Sequence, residues 1–191
     1  HPLNPKQLRE LGVAHVPEDR QKMGMIADFS ASETALLGYH NDKEINQGVW
    51  LKSYSVKANC ESLMEAFDVR PSNPNLMSSN FSGGNQQKLI LAREFERNPE
   101  VLIIGQPTRG VDIGAIEFIR KRIIAMRDAG KAIILISVEL EEIMSLSDRI
   151  IVMCDGEITG TVDAKDANEA TLGMMMANAF QPQNELKRAE L

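Results

Sequence analysis

The chain has no glycine-rich phosphate loop of the G-x-x-x-x-G-K-[ST] type. Its one Gly-Lys pair is Gly130-Lys131, but Ala132 follows where Ser or Thr belongs, and Ala125 stands where the first glycine belongs. Cysteine is scarce. Cys60 and Cys154 lie far apart with no C-x-x-C partner, which argues against a zinc site and for a reduced, cytosolic setting. No apolar run approaches the roughly 18 residues of a membrane span, and the polar, charged N-terminus is not a signal peptide. The Asn80-Phe81-Ser82 sequon is then a chance match. Basic excess is also lacking: 21 Lys and Arg face 27 Asp and Glu, for a net charge of -6. A nucleic-acid binder needs a basic face, so that class is disfavoured. What remains is a chain of 191 residues, 43% hydrophobic and 25% charged, which reads as one soluble globular domain.

The pattern predicts a short polar helix over Lys6–Leu11 ended by Gly12, then a strand at Val13–Val16 stopped by Pro17. Residues 17–20 read as a loop. From Ser30 to about Phe95 the reading is mostly helical. Ser32 is expected to cap Glu33–Leu37, and Ala58, Leu63, Met64 and Phe67 to share one helix face. A loop through Pro71, Asn73, Pro74 and Asn75 precedes a helix over 83–96, stopped by Asn98-Pro99. The second half alternates strand and helix: strand 101–104, helix 113–128 with Gly130 as terminator, strand 132–136, helix 139–146, strand 149–154. These strands are continuous apolar runs, as in a parallel sheet covered on both faces. Asp155-Gly156 predicts a hairpin turn into strand 157–162, and helix 166–177 follows. Met174-Met175-Met176 is expected to pack this last helix. Residues 179–191 read as a polar tail.

Two segments carry chemistry. In Phe81-Ser82-Gly83-Gly84-Asn85-Gln86-Gln87-Lys88 a Ser-Gly-Gly turn opens an apolar-periodic helix. A helix N-terminus offers unpaired N–H groups and the positive end of the dipole, both of which attract phosphate. Glycine at 83 and 84 allows close backbone approach. Alone, this describes a capped helix without a ligand equally well. The second segment sets it in context: the apolar strand Val101-Leu102-Ile103-Ile104 runs into Gly105-Gln106-Pro107-Thr108-Arg109-Gly110-Val111-Asp112. Asp112 would also serve simply as a cap of helix 113–128. The cations Arg93, Arg97, Arg120, Lys121, Arg122 and Arg127 read as a solvated helix face, and His15 and His40 as surface or loop histidines.

At this spacing the two segments resemble the signature motif, Walker B strand and D-loop of ATP-binding cassette (ABC) ATPases. The resemblance covers residues 5–178. It is closest to the second cassette of the double-cassette ATP-binding subunits of simple-sugar and nucleoside importers. Matching segments are Val-Pro-Glu-Asp-Arg at 16–20, Ser-Gly-Gly-Asn-Gln-Gln-Lys at 82–88, Pro-Thr-Arg-Gly-x-Asp-x-Gly-Ala at 107–115 and Ser-Asp-Arg-Ile at 147–150. Gln-Pro-Thr-Arg in place of Glu-Pro-Thr-Arg is more similar to the nucleoside group. The family's phosphate-loop strand and helix are absent, and the chain begins just past where they would lie, so a trimmed chain is expected.

The resemblance implies an α/β fold: a partial P-loop NTPase (ABC ATPase) core with an inserted helical subdomain. Residues 1–30 would be the remaining N-terminal core with a Q-loop-like segment, 31–97 the helical subdomain, and 98–178 a RecA-like core. Ser82, Gly83, Gly84, Asn85 and Gln86 would bind ATP in trans, on the companion cassette. The Walker B carboxylates are replaced by Gly105 and Gln106, which supply neither a Mg²⁺ ligand charge nor a base, and no carboxylate is adjacent to Gly105 in sequence. Val138 stands at the switch-histidine position. Pro17 and Glu18 stand near the Q-loop, while Arg109 and Asp112 belong to the D-loop. No residue of this chain is expected to be catalytic or to bind metal. ATP and Mg²⁺ belong to the full assembly. Implied partners are the first cassette of the same subunit, transmembrane permease subunits and, indirectly, an extracytoplasmic solute-binding protein, with a peripheral location on the inner membrane face. The missing phosphate-loop strand would leave the Walker B strand with an exposed edge, to be covered by dimerisation, by 13–16 or by non-native pairing. The rival class is the C-terminal half of a chromosome-maintenance or other non-transport ABC ATPase. Acidic charge and the absence of a heptad repeat before the signature count against it.

Overall fold

A computed structural model describes residues 2–42, 45–47 and 50–178. The polar tail at 179–191 lies outside the described residues. The chain divides into two units, His1–Ile136 and Ser137–Leu191, each taken by itself.

In the first unit, helix α1 (Pro5–Glu10) starts at Asn4, whose side chain accepts from the Gln7 N–H, and Gly12 (φ 79°) turns the chain into strand β1 (Val13–Val16). Residues 17–19 are irregular, as the loop expected over 17–20 requires, and the backbone then forms a π-helical turn, Arg20–Gly24, which begins at the last residue of that loop. Asp19 caps it by accepting from the Gln21 and Lys22 N–H groups at 3.1 Å. Helix α2 (Ala31–Leu36) is capped by Ser30, not Ser32. Ser30 Oγ and N–H donate to Glu33 Oε2 at 2.6 and 2.8 Å, which holds that carboxyl below its usual range. The small side chain of Ser32 is instead buried. A two-residue hairpin, β2 (Asn46–Gln47) with β3 (Trp50–Leu51), interrupts the region read as helical.

Helix α3 (Ser53–Ala66) buries Val56, Cys60, Leu63 and Met64, and Phe67 just after it is buried too; of the face expected from sequence only Ala58 is exposed. Helix α4 (Gly83–Phe95) buries most of its length. Helix α5 (Ile113–Asp128) buries Ala115, Ile119 and Ile123 at four-residue spacing. Phe67 sits between Phe95 and Phe118, edge-on to both at 6.0 and 5.5 Å.

Strands β1, β4 (Val101–Gly105) and β5 (Ala132–Ile136) form a parallel sheet in the order β1-β4-β5. β4 is therefore flanked on both sides, by 13–16 and by β5, and is not the exposed edge. The apolar run of β5 is also not covered throughout: Ile134 and Ile136 are about half exposed, at 53% and 52%.

Cys60 is fully buried, and burial pushes its thiol up to about 12. Since only a thiolate reacts, a thiol reagent at about pH 8 should label Cys154 and reach Cys60 only after unfolding. Equal rates of labelling by mass spectrometry in the folded chain would contradict this.

In the second unit, strand β6 (Arg149–Cys154) pairs antiparallel with β7 (Glu157–Asp163) and, among the described residues, with no parallel strand, contrary to the βαβ expectation. The turn is Asp155 (φ 51°) and Gly156 (φ 82°), the two positive φ values that an Asp-Gly hairpin requires. Helix α6 (Leu140–Leu146) and helix α7 (Glu169–Met176) pack on it through Ile150, Val152, Leu172 and Met175. Met175 alone of the Met run is core; Met174 and Met176 stay over 40% exposed.

Candidate functional site

Three loops of the first unit meet at the start of α4. Ser82 is the N-cap, and by helix geometry the N–H groups of Gly83 and Gly84 have no intrahelical acceptor. Ser82 Oγ accepts from the Asn85 N–H at 3.4 Å and from Asn85 Nδ2 at 2.9 Å. A hydroxyl has two lone pairs and one hydrogen, so both acceptor positions are taken and the O–H is left to donate outward. The orientation of the Asn85 amide follows from its other contact. Arg70 N–H can only donate, and it faces Asn85 Oδ1 at 2.7 Å. Gln86 points inward, its Nε2 donating to the Ser78 carbonyl at 3.0 Å. It is buried and braces the turn from below, so it does not present its side chain with the other four.

The loop after β4 closes the second side. Asp112 caps α5 by accepting from the Ala115 N–H at 2.9 Å. Its Oδ2 also lies 3.3 Å from where a Cβ on Gly84 would stand, so the cap is also a neighbour of the Ser-Gly-Gly turn. Gln106 has φ 46° and is buried, with its N–H donating to the Ile136 carbonyl. A Cβ on Gly105 would meet Glu18 N at 3.1 Å and Glu18 Cα at 3.3 Å. The Glu18 backbone is thus packed tightly against this position, so a side chain here would need it to shift by a few tenths of an ångström. The fold brings Glu18 against Gly105 in space, which sequence adjacency does not reveal.

The Glu18 carboxylate is turned to Arg109, Oε1 to NH1 at 3.7 Å, with both groups exposed. Pro17 is buried. Among the described residues no cluster of His, Cys, Asp or Glu could hold a metal ion. One exposed carboxylate already paired with a guanidinium, beside a glycine and a buried amide, does not fit Mg²⁺, which favours several oxygen ligands. In the second unit, Val138 is exposed at the position expected for a switch histidine. His15 and His40 are exposed, as expected.

Sequence reasoning passed over Arg20, whose NH1 donates to the Arg109 carbonyl at 2.8 Å. It also placed Arg93 on a solvated face. Arg93 is instead buried, with Nε on Glu94 Oε1 at 2.8 Å and NH1 on the Gly24 and Thr34 carbonyls at 2.9 and 3.0 Å. Arg122 lies over the Phe67 and Phe118 rings and donates to the Ala66 carbonyl. No described helix is long and apolar enough to cross a membrane.

Among solved structures the chain is similar to the dimeric ATP-binding cassette MJ0796 in a post-hydrolysis state with ADP and Pi. The TM-score is 0.67 at 20% identity, covering 85% of this chain and 68% of that one. A nucleotide-free cassette from an ABC transporter gives 0.65 at 18% identity, covering 95% and 70%. The chain has the fold of an ATP-binding cassette. No family model matches it. Curated relatives that it is similar to include import ATP-binding proteins. The cassette is 46% identical to the guanosine import ATP-binding protein NupO of Bacillus subtilis over 180 residues, 94% of this chain and 35% of that protein. It is 44% identical to the nucleoside import ATP-binding protein NupA of Lactococcus lactis over 172 residues, covering 90% and 34%. It is 37% identical to the ribose import ATP-binding protein RbsA of Shouchella clausii over 163 residues, covering 85% and 32%. The chain thus spans about a third of the length of the curated relatives it matches. None of these relatives favours the chromosome-maintenance reading.

Proposed function

We propose that this cassette is the second half of a composite ATPase in an importer of nucleosides or simple sugars. Its signature turn, Ser82 to Gln86, closes over an ATP held by the phosphate loop of the first cassette, and its own site is silent. The observation that carries this reading is the hydrogen-bond state of Ser82. A hydroxyl that already accepts twice can only donate. Beside two glycines at a helix N-terminus, such a donor suits the terminal phosphate of a nucleotide.

Silence of the other site is supported by the crowding of Gly105 against Glu18, by the buried Gln106 and by Val138. Gln106 cannot serve as a base toward water. Arg109 and Asp112 then form the D-loop at the cassette–cassette boundary, and Pro17 and Glu18 take the Q-loop place. Residues 31–97 act as the helical subdomain that docks on the permease, with 1–30 and 98–178 as the core. The complete importer would sit peripherally on the inner membrane face and receive solute from an extracytoplasmic binding protein. The nucleoside group is preferred to the sugar group because NupO and NupA are the more similar relatives named above.

The isolated chain should hydrolyse no ATP and bind MgATP only weakly, because it offers the closing half of a site and not the cradle. Phosphate release in a clean preparation and titration calorimetry measure both. Turnover above background, or tight binding, would contradict the assignment.

A further inference from the structure

The motif Val16-Pro17-Glu18-Asp19-Arg20 ends in a residue for which the signature reading has no use. We propose that Arg20 is the positioning residue that fixes the signature turn against the loop after β4, so that Ser82 meets the terminal phosphate. This inference rests on the trans reading of Ser82 given above.

The geometry is specific. Arg20 NH1 donates to the Arg109 carbonyl at 2.8 Å. A Cβ on Gly83 would stand 2.5 Å from Arg20 NH2, 3.4 Å from its Cζ and 3.2 Å from the Gly110 carbonyl. A Cβ on Gly110, which holds φ 67°, would stand 3.4 Å from NH2 and 3.7 Å from NH1. The guanidinium therefore lies between two glycines from two different loops, in a gap that Gly83, at least, could not leave open if it carried a side chain.

Its Nε is buried with no hydrogen-bond partner, so packing holds the group there even though one donor goes unsatisfied. The base of the side chain is equally fixed. Arg20 begins the π-helical turn capped by Asp19. Two residues before Arg20, Glu18 lies against Gly105 at the end of β4. A single short segment thus touches the end of β4, the D-loop backbone and the first residue of the signature helix. A planar five-donor fork can brace two backbones at once, which a lysine ammonium on a flexible stem cannot do in the same way.

The test uses the complete ATPase subunit with its permease and compares binding of ATP with that of ADP. ADP lacks the phosphate that the signature turn would grip, so its affinity reports the cradle alone. Arg20→Ala should lower the preference for ATP over ADP about tenfold while leaving ADP affinity unchanged. Arg20→Lys should give an intermediate loss of roughly threefold, and it carries the test if the alanine variant does not fold. A merely structural role would lower the melting temperature and leave the ATP-to-ADP ratio alone; that result overturns the proposal, as does an unchanged ratio in Arg20→Lys.

Gly83→Ala supplies an independent check. It should destabilise the subunit when Arg20 is present, and much less in the Arg20→Ala background, where the clash is gone. Equal cost in both backgrounds overturns the packing. Ser82→Arg separates the two levels. If it too leaves the ratio unchanged, the trans reading itself fails. If it abolishes the preference while the Arg20 variants retain theirs, only the present inference fails.

Discussion

Ser82→Arg in the complete importer should reduce ATP hydrolysis and transport together to near background. A bulky cation at the opening of α4 fills the space between the Gly83 and Gly84 N–H groups and the phosphate they would bind. It also removes the one hydroxyl whose acceptor positions are both taken by Asn85. Losing a single preorganised donor to a developing anion typically costs about a hundredfold or more in rate, and blocked closure adds to that. The paired control is Gln106→Ala. That side chain is buried, and on the proposed reading its site has no catalytic base, so the rate should change little if the protein stays folded. A folding defect would lower both variants, whereas the trans reading lowers only the first. Normal hydrolysis in Ser82→Arg with none in Gln106→Ala would reverse the assignment of the live site.

Arg93→Met should destabilise the first unit by about 3–5 kcal/mol, because it leaves the Glu94 carboxylate in the interior without its counter-charge. Arg93 and Glu94 side chains are 4% and 1% exposed, with Nε and Oε1 at 2.8 Å. The other carboxylate oxygen accepts from the Tyr39 hydroxyl at 2.5 Å. Tyr39 in turn lies under the guanidinium groups of Arg9 and Arg97, at 5.0 and 4.5 Å. Arg93 also caps the carbonyls of Gly24 and Thr34, so its loss unties α4 from α2 and from the turn after β1. The double change Arg93→Met with Glu94→Leu removes both charges and should recover part of the loss. Urea unfolding measures the difference. A single-variant cost within about 1 kcal/mol would show that the pair is not carrying this packing.

Helix α4, β4 and α5 were legible in the sequence because local signals agree there. Ser82 and Asp112 are good N-caps, the apolar runs are uninterrupted, and Gly130 and Pro99 end the elements. The hairpin at Asp155-Gly156 was legible for the same reason. Partner choice was not. The β6 run is as apolar as that of β4, and nothing local says that it pairs antiparallel with β7 instead of joining the parallel sheet. The cap of α2 shifted from Ser32 to Ser30 because both serines precede Glu33, and only Ser30 stands three residues before it, as a capping box needs. Arg93 was misplaced because charge alone predicts exposure. Its burial depends on two carbonyls 69 and 59 residues away in sequence. Arg20 stood in a quoted motif, yet its meaning required Gly83 and Gly110 to be seen in space.

The most direct measurement is a rapid chemical quench of the complete importer at saturating MgATP, with the nucleotide at each composite site counted through one turnover. The account predicts ADP only at the site closed by Ser82, with any nucleotide at the site bounded by Gly105 and Gln106 recovered as ATP. Equal conversion at both sites, or conversion that survives Ser82→Arg, would contradict it.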